Sequence, residues 1–331
     1  MNGTLTGREG TKSDATPAAV QAALSGDGFF WLDLNVPGPE PDPELKALLL
    51  DTFHFHPLAV DASDHFRQRA RIDDYGDFVN VVTFGIGEDG RSVAEVHCFL
   101  TEKFIVSIHH GDCPALADVR TRLATHHSAD AAPPQLVVFY LIMDGLIDSF
   151  FPVLAQFDDE IDELESAILK TPTEAQLGVI FDMKRQILTI RKVVAPQRDM
   201  IATLNAGMVS LPGMTDRGTV YFRSLYDHLI RISDMVDSYR DLLTGAMDTH
   251  LSMVNNRLNL VMKQLAIIAT IFLPLSFLTG FFGQNFNWTI SNWQHSGFDF
   301  LLVGVFPEVV AITLLLWLFK RRGWLGAGPT A

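Results

Sequence analysis

The sequence has few of the features that mark secreted proteins or enzymes. Two of its 331 residues are cysteines, Cys98 and Cys113, which is too few for a disulfide framework and favours a reducing compartment. The opening residues, MNGTLTGREGTKSDATP, contain no apolar run of the signal-peptide kind, so we interpret residues 1–27 as a disordered leader. The sequence shows no Gly-Lys-Ser/Thr phosphate loop and no nucleophile–base constellation, which argues against an ATP-driven pump and against an enzyme.

Charge is absent from a long stretch near the C-terminus, where no Asp, Glu, Lys or Arg occurs between Lys263 and Asp299. The apolar run Leu265–Phe282 covers 18 residues and a second run, Phe300–Phe319, covers 20. At ~1.5 Å per residue, each can cross a hydrocarbon layer of roughly 30 Å as a helix. The sequence therefore predicts two membrane spans and a lipid bilayer as the surroundings of this region.

The net charge of −14 is unevenly distributed along the chain. Residues 251–331 contain five basic and two acidic residues, which leaves 20 basic and 37 acidic residues in 1–250. An acidic soluble part does not favour nucleic acid as a partner. The basic cluster at 320–322 predicts a cytoplasmic C-terminus, and two spans then place the N-terminus in the cytoplasm too. We therefore expect a multi-pass protein of the cell (inner) membrane.

The soluble part alternates strand-like and helix-like patterns, which predicts a mixed α/β domain. Strands are predicted at 28–34, 78–86, 91–100 and 103–107, with helices at 43–53 and 115–127. From residue 135 onward long helical patterns take over, and no proline occurs between Pro212 and Pro274.

These patterns divide the chain into successive segments. A helix from 216 to 282 would be roughly 100 Å long, and helices of that length normally need partners, so we expect an oligomer. The predicted organisation is a leader at 1–27, a cytoplasmic α/β domain at 28–134, a helical hairpin at 135–212, a stalk helix and first span at 213–285, an external loop at 286–298, a second span at 299–320 and a cytoplasmic tail at 321–331.

One stripe of the predicted long helix is made mostly of small or polar residues. Its opposite side carries bulky residues such as Ile267, Ile271 and Phe281. A membrane helix of this kind can pack closely against a neighbour or line an aqueous path, and the pattern alone leaves both interpretations open. The candidate pore-lining residues are Asn255, Asn259, Met262, Ala266, Ala269, Leu273, Ser276 and Gly280.

Several stretches of the sequence match a known pattern. The segment 256–277, NRLNLVMKQLAIIATIFLPLSF, closely resembles the pore helix of the CorA-type family of metal-ion transporters. The family ends this helix with a Gly-Met-Asn signature, which is Gly283-Gln284-Asn285 here. Further similarity lies in HPLAVD at 56–61, QRARIDDY at 68–75 and KRRGWL at 320–325. The resemblance covers residues 28–325.

The resemblance implies a homopentamer with a cytoplasmic α/β funnel, long stalk helices and two C-terminal transmembrane helices per chain. Gly283, Gln284 and Asn285 would then form the selectivity filter. The implied function is passive passage of a hydrated divalent cation, Mg²⁺ first and Co²⁺ or Ni²⁺ next, since amide oxygens can accept hydrogen bonds from water that Mg²⁺ releases reluctantly. No cofactor is expected beyond the transported or regulatory cation.

Departures from the family pattern keep other functions open. Glutamine replaces methionine in the signature, and the loop after it has no acidic residue. One alternative is a ZntB-like Zn²⁺ transporter, with or without proton coupling, and a second is a non-conducting, membrane-anchored metal sensor.

Four acidic residues are candidates for regulation or proton transfer. The resemblance implies cytoplasmic metal-sensing pairs, for which Glu88 or Asp89 and Asp248 are candidates, although Ser224 stands where an acidic partner is expected. Glu308 lies within the second span, where an ionisable group by default marks function. It is either a proton relay or a protonated side chain bonded to Thr279, Thr270 or a backbone carbonyl.

Overall fold

The computed structural model describes residues 2–7, 10–13, 15–36, 42–125, 133–284 and 297–324. It divides into two compact units, Met1–Asp248 and Thr249–Ala331. The first unit contains a sheet with helices on both faces, and the second contains two apolar helical segments.

The described strands form one sheet of seven in the order β2-β1-β3-β7-β6-β5-β4. The pair β3–β7 is parallel, and the other neighbouring pairs are antiparallel. The strands are β1 Asn2–Gly7, β2 Gly10–Ser13, β3 Phe30–Val36, β4 Arg71–Asp74, β5 Val79–Ile86, β6 Val93–Leu100 and β7 Phe104–His110.

Proline marks the start of many of the helices, because its missing N–H is not needed at the first helical position. The helices of the first unit are α1 Pro17–Ser25, α2 Pro43–Ala47, α3 Pro57–Asp64, α4 Pro114–Thr125, α5 Pro134–Asp148, α6 Phe150–Lys170 and α7 Glu174–Asn205. The 67-residue α8, Asp216–Phe282, continues into the second unit. A short helix at Gly297–Asp299 and a π-helix at Phe300–Val305 lead into α9, Phe306–Arg321.

Alternation along the strands gives the sheet two apolar faces. In β3, Phe30, Leu32 and Leu34 belong to a core that also contains Val20 of α1 and Leu45 of α2. Trp31 of the same strand belongs to a larger core on the other face, built with α4 to α8. The first unit is therefore a three-layer α/β structure, as the sequence predicts in outline.

The N-terminal 27 residues are not a disordered leader, and that prediction is wrong for the described part. The strand β1 pairs with β3 over six residues, and Leu5 and Val20 are buried. Short, polar β1 and β2 carry little local signal for a strand. Their order depends on an edge of β3 that is supplied by tertiary structure.

The predicted boundary at residue 134 also does not separate two compact units, since the first unit runs to Asp248. Residues on both sides of that boundary share one core. The predicted hairpin at 135–212 contains three helices rather than two, because α5 ends at Asp148 and α6 starts at Phe150. Between them, the Ser149 hydroxyl accepts a hydrogen bond from Ile86 N at 2.8 Å, which binds this junction to β5.

Three helical stretches in the described residues are long and apolar enough to cross a membrane. The first, Pro134–Lys170, has half of its most apolar window buried within the protein, whereas the windows in Gly218–Phe281 and Leu301–Arg321 have none buried. The first stretch therefore belongs to the core of the first unit. The other two coincide with the spans predicted from the sequence. The chain itself does not bury their apolar windows, so these surfaces contact another environment.

Close packing of α5 against the sheet predicts a glycine requirement at position 85. A Cβ on Gly85 would lie 2.7 Å from Leu146 Cδ2 and 3.2 Å from the Leu146 backbone. We expect Gly85→Ala to lower the free energy of unfolding by ~1–3 kcal/mol through overpacking. Thermal unfolding of the full-length protein in detergent, followed by circular dichroism, measures the change.

The matched control is Gly178→Ala in α7, where the added methyl group meets nothing within 4 Å. Removing a glycine from a helix interior should raise stability by about 0.5–1 kcal/mol. If Gly85→Ala is as stable as the control, the close packing of α5 on β5 is not as described.

Candidate functional site

The candidate pore-lining residues of α8 lie along one exposed stripe of the second unit. Asn255, Asn259, Met262, Ala266, Ala269, Leu273, Ser276 and Gly280 are all exposed in the single chain. The exposed fraction is 64% for Met262 and 75% for Leu273. Large apolar side chains this exposed require cover from lipid or from other protein chains.

The opposite face of α8 is the more buried one. Its half-buried residues recur at helical spacing and are Lys263, Ile267, Ile271, Pro274, Leu275 and Leu278. At ~100° per residue, the centre of this face lies roughly 150° from the exposed stripe. The chain's own second span therefore does not cover the stripe, which can face lipid or another protein chain.

The helix ends immediately before the signature. Gly283 N donates to Thr279 O at 2.9 Å and Gln284 N donates to Phe281 O at 3.3 Å, so both residues continue the last turn. A Cβ on Gly283 would lie 3.1 Å from Thr279 O, which is tight against backbone. Asn285 lies outside the described residues, as does most of the predicted external loop.

Among the described residues of the second unit, two hydrogen bonds link α8 to α9 and to the turn that follows α9. Lys263 Nζ donates to Gly323 O at 3.5 Å, and Thr279 Oγ1 lies 3.1 Å from Glu308 Oε1. Of the two threonines proposed from the sequence as partners of Glu308, Thr279 makes this contact. Thr270 instead donates to Ala266 O at 2.7 Å.

The acidic residues proposed as a cytoplasmic metal sensor are exposed in the first unit. Asp89 Oδ1 accepts hydrogen bonds from Arg91 N, Ser92 N and the Ser92 hydroxyl, at 2.7–2.9 Å. These bonds lower the pKa of Asp89 and occupy that oxygen in the turn. In the part of the chain that is described, neither Glu88 nor Asp248 belongs to a group of three metal-ligating side chains.

A different set of side chains does form such a group. Asp144 and Asp148 of α5 and His228 of α8 each offer a ligand atom, and these atoms lie within 4.8 Å of one another. Asp144 is buried, and the other two are partly exposed. His228 Nδ1 lies 3.0 Å from Asp148 Oδ1. Two carboxylates and an imidazole can bind Zn²⁺ or a harder divalent cation.

Like charges face one another in this group, and Tyr140, His228 and Arg122 partly offset them. The aspartates stand four residues apart in the last turns of α5, where like charges repel and the helix dipole disfavours negative charge. Burial and the neighbouring carboxylate of Asp148 raise the pKa of Asp144. The nearby basic partner, Arg122, has Nη1 3.5 Å from Asp144 Oδ2. A bound divalent cation would offset the repulsion and replace any proton on the His228 nitrogen.

Comparison with known proteins assigns the chain to a family. The family model described as "CorA-like Mg2+ transporter protein" matches residues 26–321. The chain belongs to this family. The chain is 33% identical over 300 residues to "Putative metal ion transporter YfjQ" of Bacillus subtilis (strain 168), covering 89% of this chain and 90% of that protein.

Other relatives differ in the ion that their names specify. The "Cobalt/magnesium transport protein CorA" of Thermotoga maritima is 30% identical over 278 residues, or 82% of this chain and 78% of that one. The "Zinc transport protein ZntB" of Yersinia pseudotuberculosis serotype O:1b is 26% identical over 320 residues, or 95% and 93%. Membership of the CorA family therefore establishes a divalent-cation transporter without specifying its ion.

A solved structure of the family has the same fold. The complete CorA magnesium transporter from Methanocaldococcus jannaschii matches with a TM-score of 0.82 at 21% identity, covering 98% of this chain and 99% of that one. This likeness supports the α/β unit, the long helix and the C-terminal helical segments as one family architecture.

The Asp144–Asp148–His228 group was not predicted from the sequence, although part of its signal is visible there. Between Pro134 and Phe157 the only charged residues are these two aspartates, four positions apart. Paired carboxylates on one face of an otherwise apolar helix are costly and indicate a partner. The histidine, 80 positions later in the chain, had no sequence signal that linked it to them.

The group predicts that divalent cations stabilise this CorA-family protein through residues of the first unit. At about ten times its Kd, Zn²⁺ or Mg²⁺ should raise the free energy of unfolding by ~1.4 kcal/mol. At one fixed metal concentration, the increase should be smaller at lower pH, because protons compete with the cation for the same side chains. Protonated Asp144 favours the folded state below the ordinary carboxyl pKa, and this contribution is lost as pH rises through the raised pKa, where the cation can replace the proton.

Thermal unfolding of full-length protein with each metal measures the effect. Asp148→Asn and His228→Gln should each remove most of it, while Asp182→Asn on the exposed surface of α7 should retain it. Equal stabilisation in all three variants would show that the cation acts elsewhere.

Proposed function

We propose that several copies of the chain assemble around the exposed stripe of α8 and conduct hydrated divalent cations down their electrochemical gradient. Mg²⁺ is the proposed ion, with Co²⁺ and Ni²⁺ as further candidates. The observation that carries the proposal is the stripe from Asn255 to Gly280, which lies away from the chain's own second span and leads to Gly283-Gln284. A single helix cannot enclose a path, so the stripe implies a ring, and the resemblance to the CorA-type family supports a ring of five copies.

The chemistry of the stripe suits an ion that keeps its first water shell. Mg²⁺ demands octahedral oxygen ligands and loses water reluctantly. Amide groups of Gln284 and Asn285, the hydroxyl of Ser276 and the amides of Asn259 can accept hydrogen bonds from that water without replacing it. Rings of Leu273 and Met262 would form apolar constrictions between these polar levels.

Inward flow under this proposal needs no ATP. A membrane potential of about 100 mV, negative inside, contributes ~4.6 kcal/mol for a doubly charged ion. The basic end of α9, Lys320 to Arg322, favours termini on the cytoplasmic side. The Asp144–Asp148–His228 group would then be exposed to cytoplasmic cations, and we propose it as a regulatory site in place of Glu88, Asp89 and Asp248.

A Zn²⁺ transporter is the second candidate. It is favoured by the ZntB relative, which matches 95% of this chain, and by the nitrogen ligand in the cytoplasmic group, since imidazole suits Zn²⁺ better than Mg²⁺. A non-conducting metal sensor would also use that group, but it leaves the exposed stripe without a role beyond helix packing.

The filter assignment predicts a strong effect of Asn285→Ala on transport. Removal of the amide should reduce Mg²⁺ uptake into proteoliposomes at least tenfold, because the ion's water loses an acceptor at the pore mouth. Gln284→Met, which restores the family signature, should retain uptake and change the order of competition among Mg²⁺, Zn²⁺, Co²⁺ and Ni²⁺.

The control for both variants is Gln264→Ala, which removes an exposed amide on the side of α8 away from the stripe. It should leave uptake near the wild-type rate. Undiminished uptake by Asn285→Ala would contradict the filter assignment, and no uptake by the wild-type protein with any of the four ions would favour the sensor.

A further inference from the structure

The C-terminal end of α9 closes with a Schellman motif, in which a glycine in the left-handed conformation reverses the chain. Gly323 has a φ of 67°, and its N–H donates to Lys320 O at 3.1 Å. The next N–H, that of Trp324, donates to Phe319 O at 2.8 Å. The chain therefore turns back, and Trp324 stacks on Phe319 with ring centroids 5.6 Å apart and 5° between the ring planes.

The reversed end is also fastened to α8. Lys263 Nζ donates to Gly323 O at 3.5 Å, so a base of the first span lies beside the turn that follows the second. Phe319 is the buried residue of α9, and it marks the covered side of that helix. An ammonium group has three donors, and the bond to Gly323 uses one of those on Lys263.

Helical spacing distributes the three bases at the end of α9 around the helix. At ~100° per residue, Arg322 lies roughly 60° and Lys320 roughly 100° from Phe319, one on each side of it. Arg321 lies roughly 160° from Phe319, on the outer face. There its guanidinium carbon is 5.4 Å from the centre of the Trp317 ring, within the range of a cation–π contact.

Lys263, Lys320 and Arg322 form a basic seam where the covered side of α9 meets α8. Among the described residues, no ion pair involves any of these three bases. In the sequence, the preceding acidic residues are Asp248, 15 positions before Lys263, and Glu308, 12 positions before Lys320, and no Asp or Glu follows Arg322. The basic seam therefore calls for an anion from outside the chain.

The position of the basic seam indicates which anion. Tryptophan is enriched where hydrocarbon meets lipid headgroups, and Trp317 and Trp324 lie on either side of the bases in the sequence, 53% and 40% exposed. The apolar run of the second span ends at Phe319, so the bases follow at headgroup level. A lipid phosphate at this level offers anionic oxygens that arginine and lysine donors match well.

We propose that Lys263, Lys320 and Arg322 form a binding site for the headgroup of an anionic phospholipid in the cytoplasmic leaflet, with Trp324 as the apolar wall of the site. The bound phosphate joins α8 to the end of α9. A zwitterionic lipid fits less well, because its ammonium group is repelled by the same three bases. The site depends on the membrane location of the two spans and is independent of cation conduction.

Native mass spectrometry of the full-length protein in detergent measures the Kd for each added lipid. Phosphatidylglycerol should bind about tenfold more tightly than phosphatidylcholine. Lys263→Gln and Arg322→Gln should each weaken phosphatidylglycerol binding about fivefold, the factor that corresponds to ~1 kcal/mol per base. Lys263→Arg, which keeps the charge, should retain the wild-type Kd.

The matched control is Arg321→Gln, which removes the same charge from the adjacent position on the outer face of α9. Its effect on the Kd for phosphatidylglycerol should be much smaller than that of Arg322→Gln. Equal losses in the two variants would overturn the proposal, since diffuse attraction to an anionic surface would then explain the binding. Equal affinity of the wild-type protein for the two lipids would overturn it too, and displacement of the lipid by inorganic phosphate at the same concentration would assign the basic seam to a free anion.

Gly323→Ala tests the geometry of the site with every charge retained. A Cβ at this position meets nothing within 4 Å, so the substitution acts through its left-handed conformation, which costs a non-glycine residue roughly 1 kcal/mol. Binding of phosphatidylglycerol should weaken about fivefold as the reversed end is disfavoured, while circular dichroism should show unchanged helix content. An unchanged Kd in Gly323→Ala would contradict a site built on the reversed end of α9.

Discussion

Much of this protein's architecture follows from apolar helical surface that the chain itself does not bury. The most apolar windows of α8 and α9 have no residue buried by the protein itself, and side chains such as Phe272 and Phe277 are 63% and 70% exposed. Hydrating that surface is unfavourable at roughly 25 cal/mol per Å². Lipid and neighbouring copies are the two environments that remove the cost. Backbone groups in such a segment must be satisfied internally, which explains why both segments are helical.

The contrast with α5 shows why composition alone does not identify a membrane span. Pro134–Lys170 is also apolar enough to cross a bilayer, yet half of its most apolar window is buried. The sheet and α7 and α8 supply its cover through a single core. The two aspartates near the end of α5 lie where that helix meets α8, and Tyr140, Arg122 and His228 supply polar partners for them. We propose that a cation also binds between the aspartates and His228.

Helical periodicity explains which predictions the sequence could support. The stripe from Asn255 to Gly280 was predicted from one segment because residues three and four apart share a helix face, and its pore-lining role stays a prediction. The contact of Glu308 was anticipated as one of three options, since the sequence limits the polar partners available in an apolar span. In contrast, the strand β1 was missed because it is short and polar, and its order depends on pairing with β3.

By itself, the sequence determined that this protein has an acidic α/β part and two apolar helices, the first of which is followed by a Gly-Gln-Asn signature. Those properties are local. They follow from composition and from hydrophobic patterns that recur every two residues in a strand or every three to four residues in a helix. Only the tertiary structure decided that Asp144 and Asp148 meet His228 across two helices, and that Thr279 rather than Thr270 contacts Glu308. Such pairs join residues 29 to 84 positions apart, whose approach depends on how helices pack, and a linear pattern carries no record of that packing.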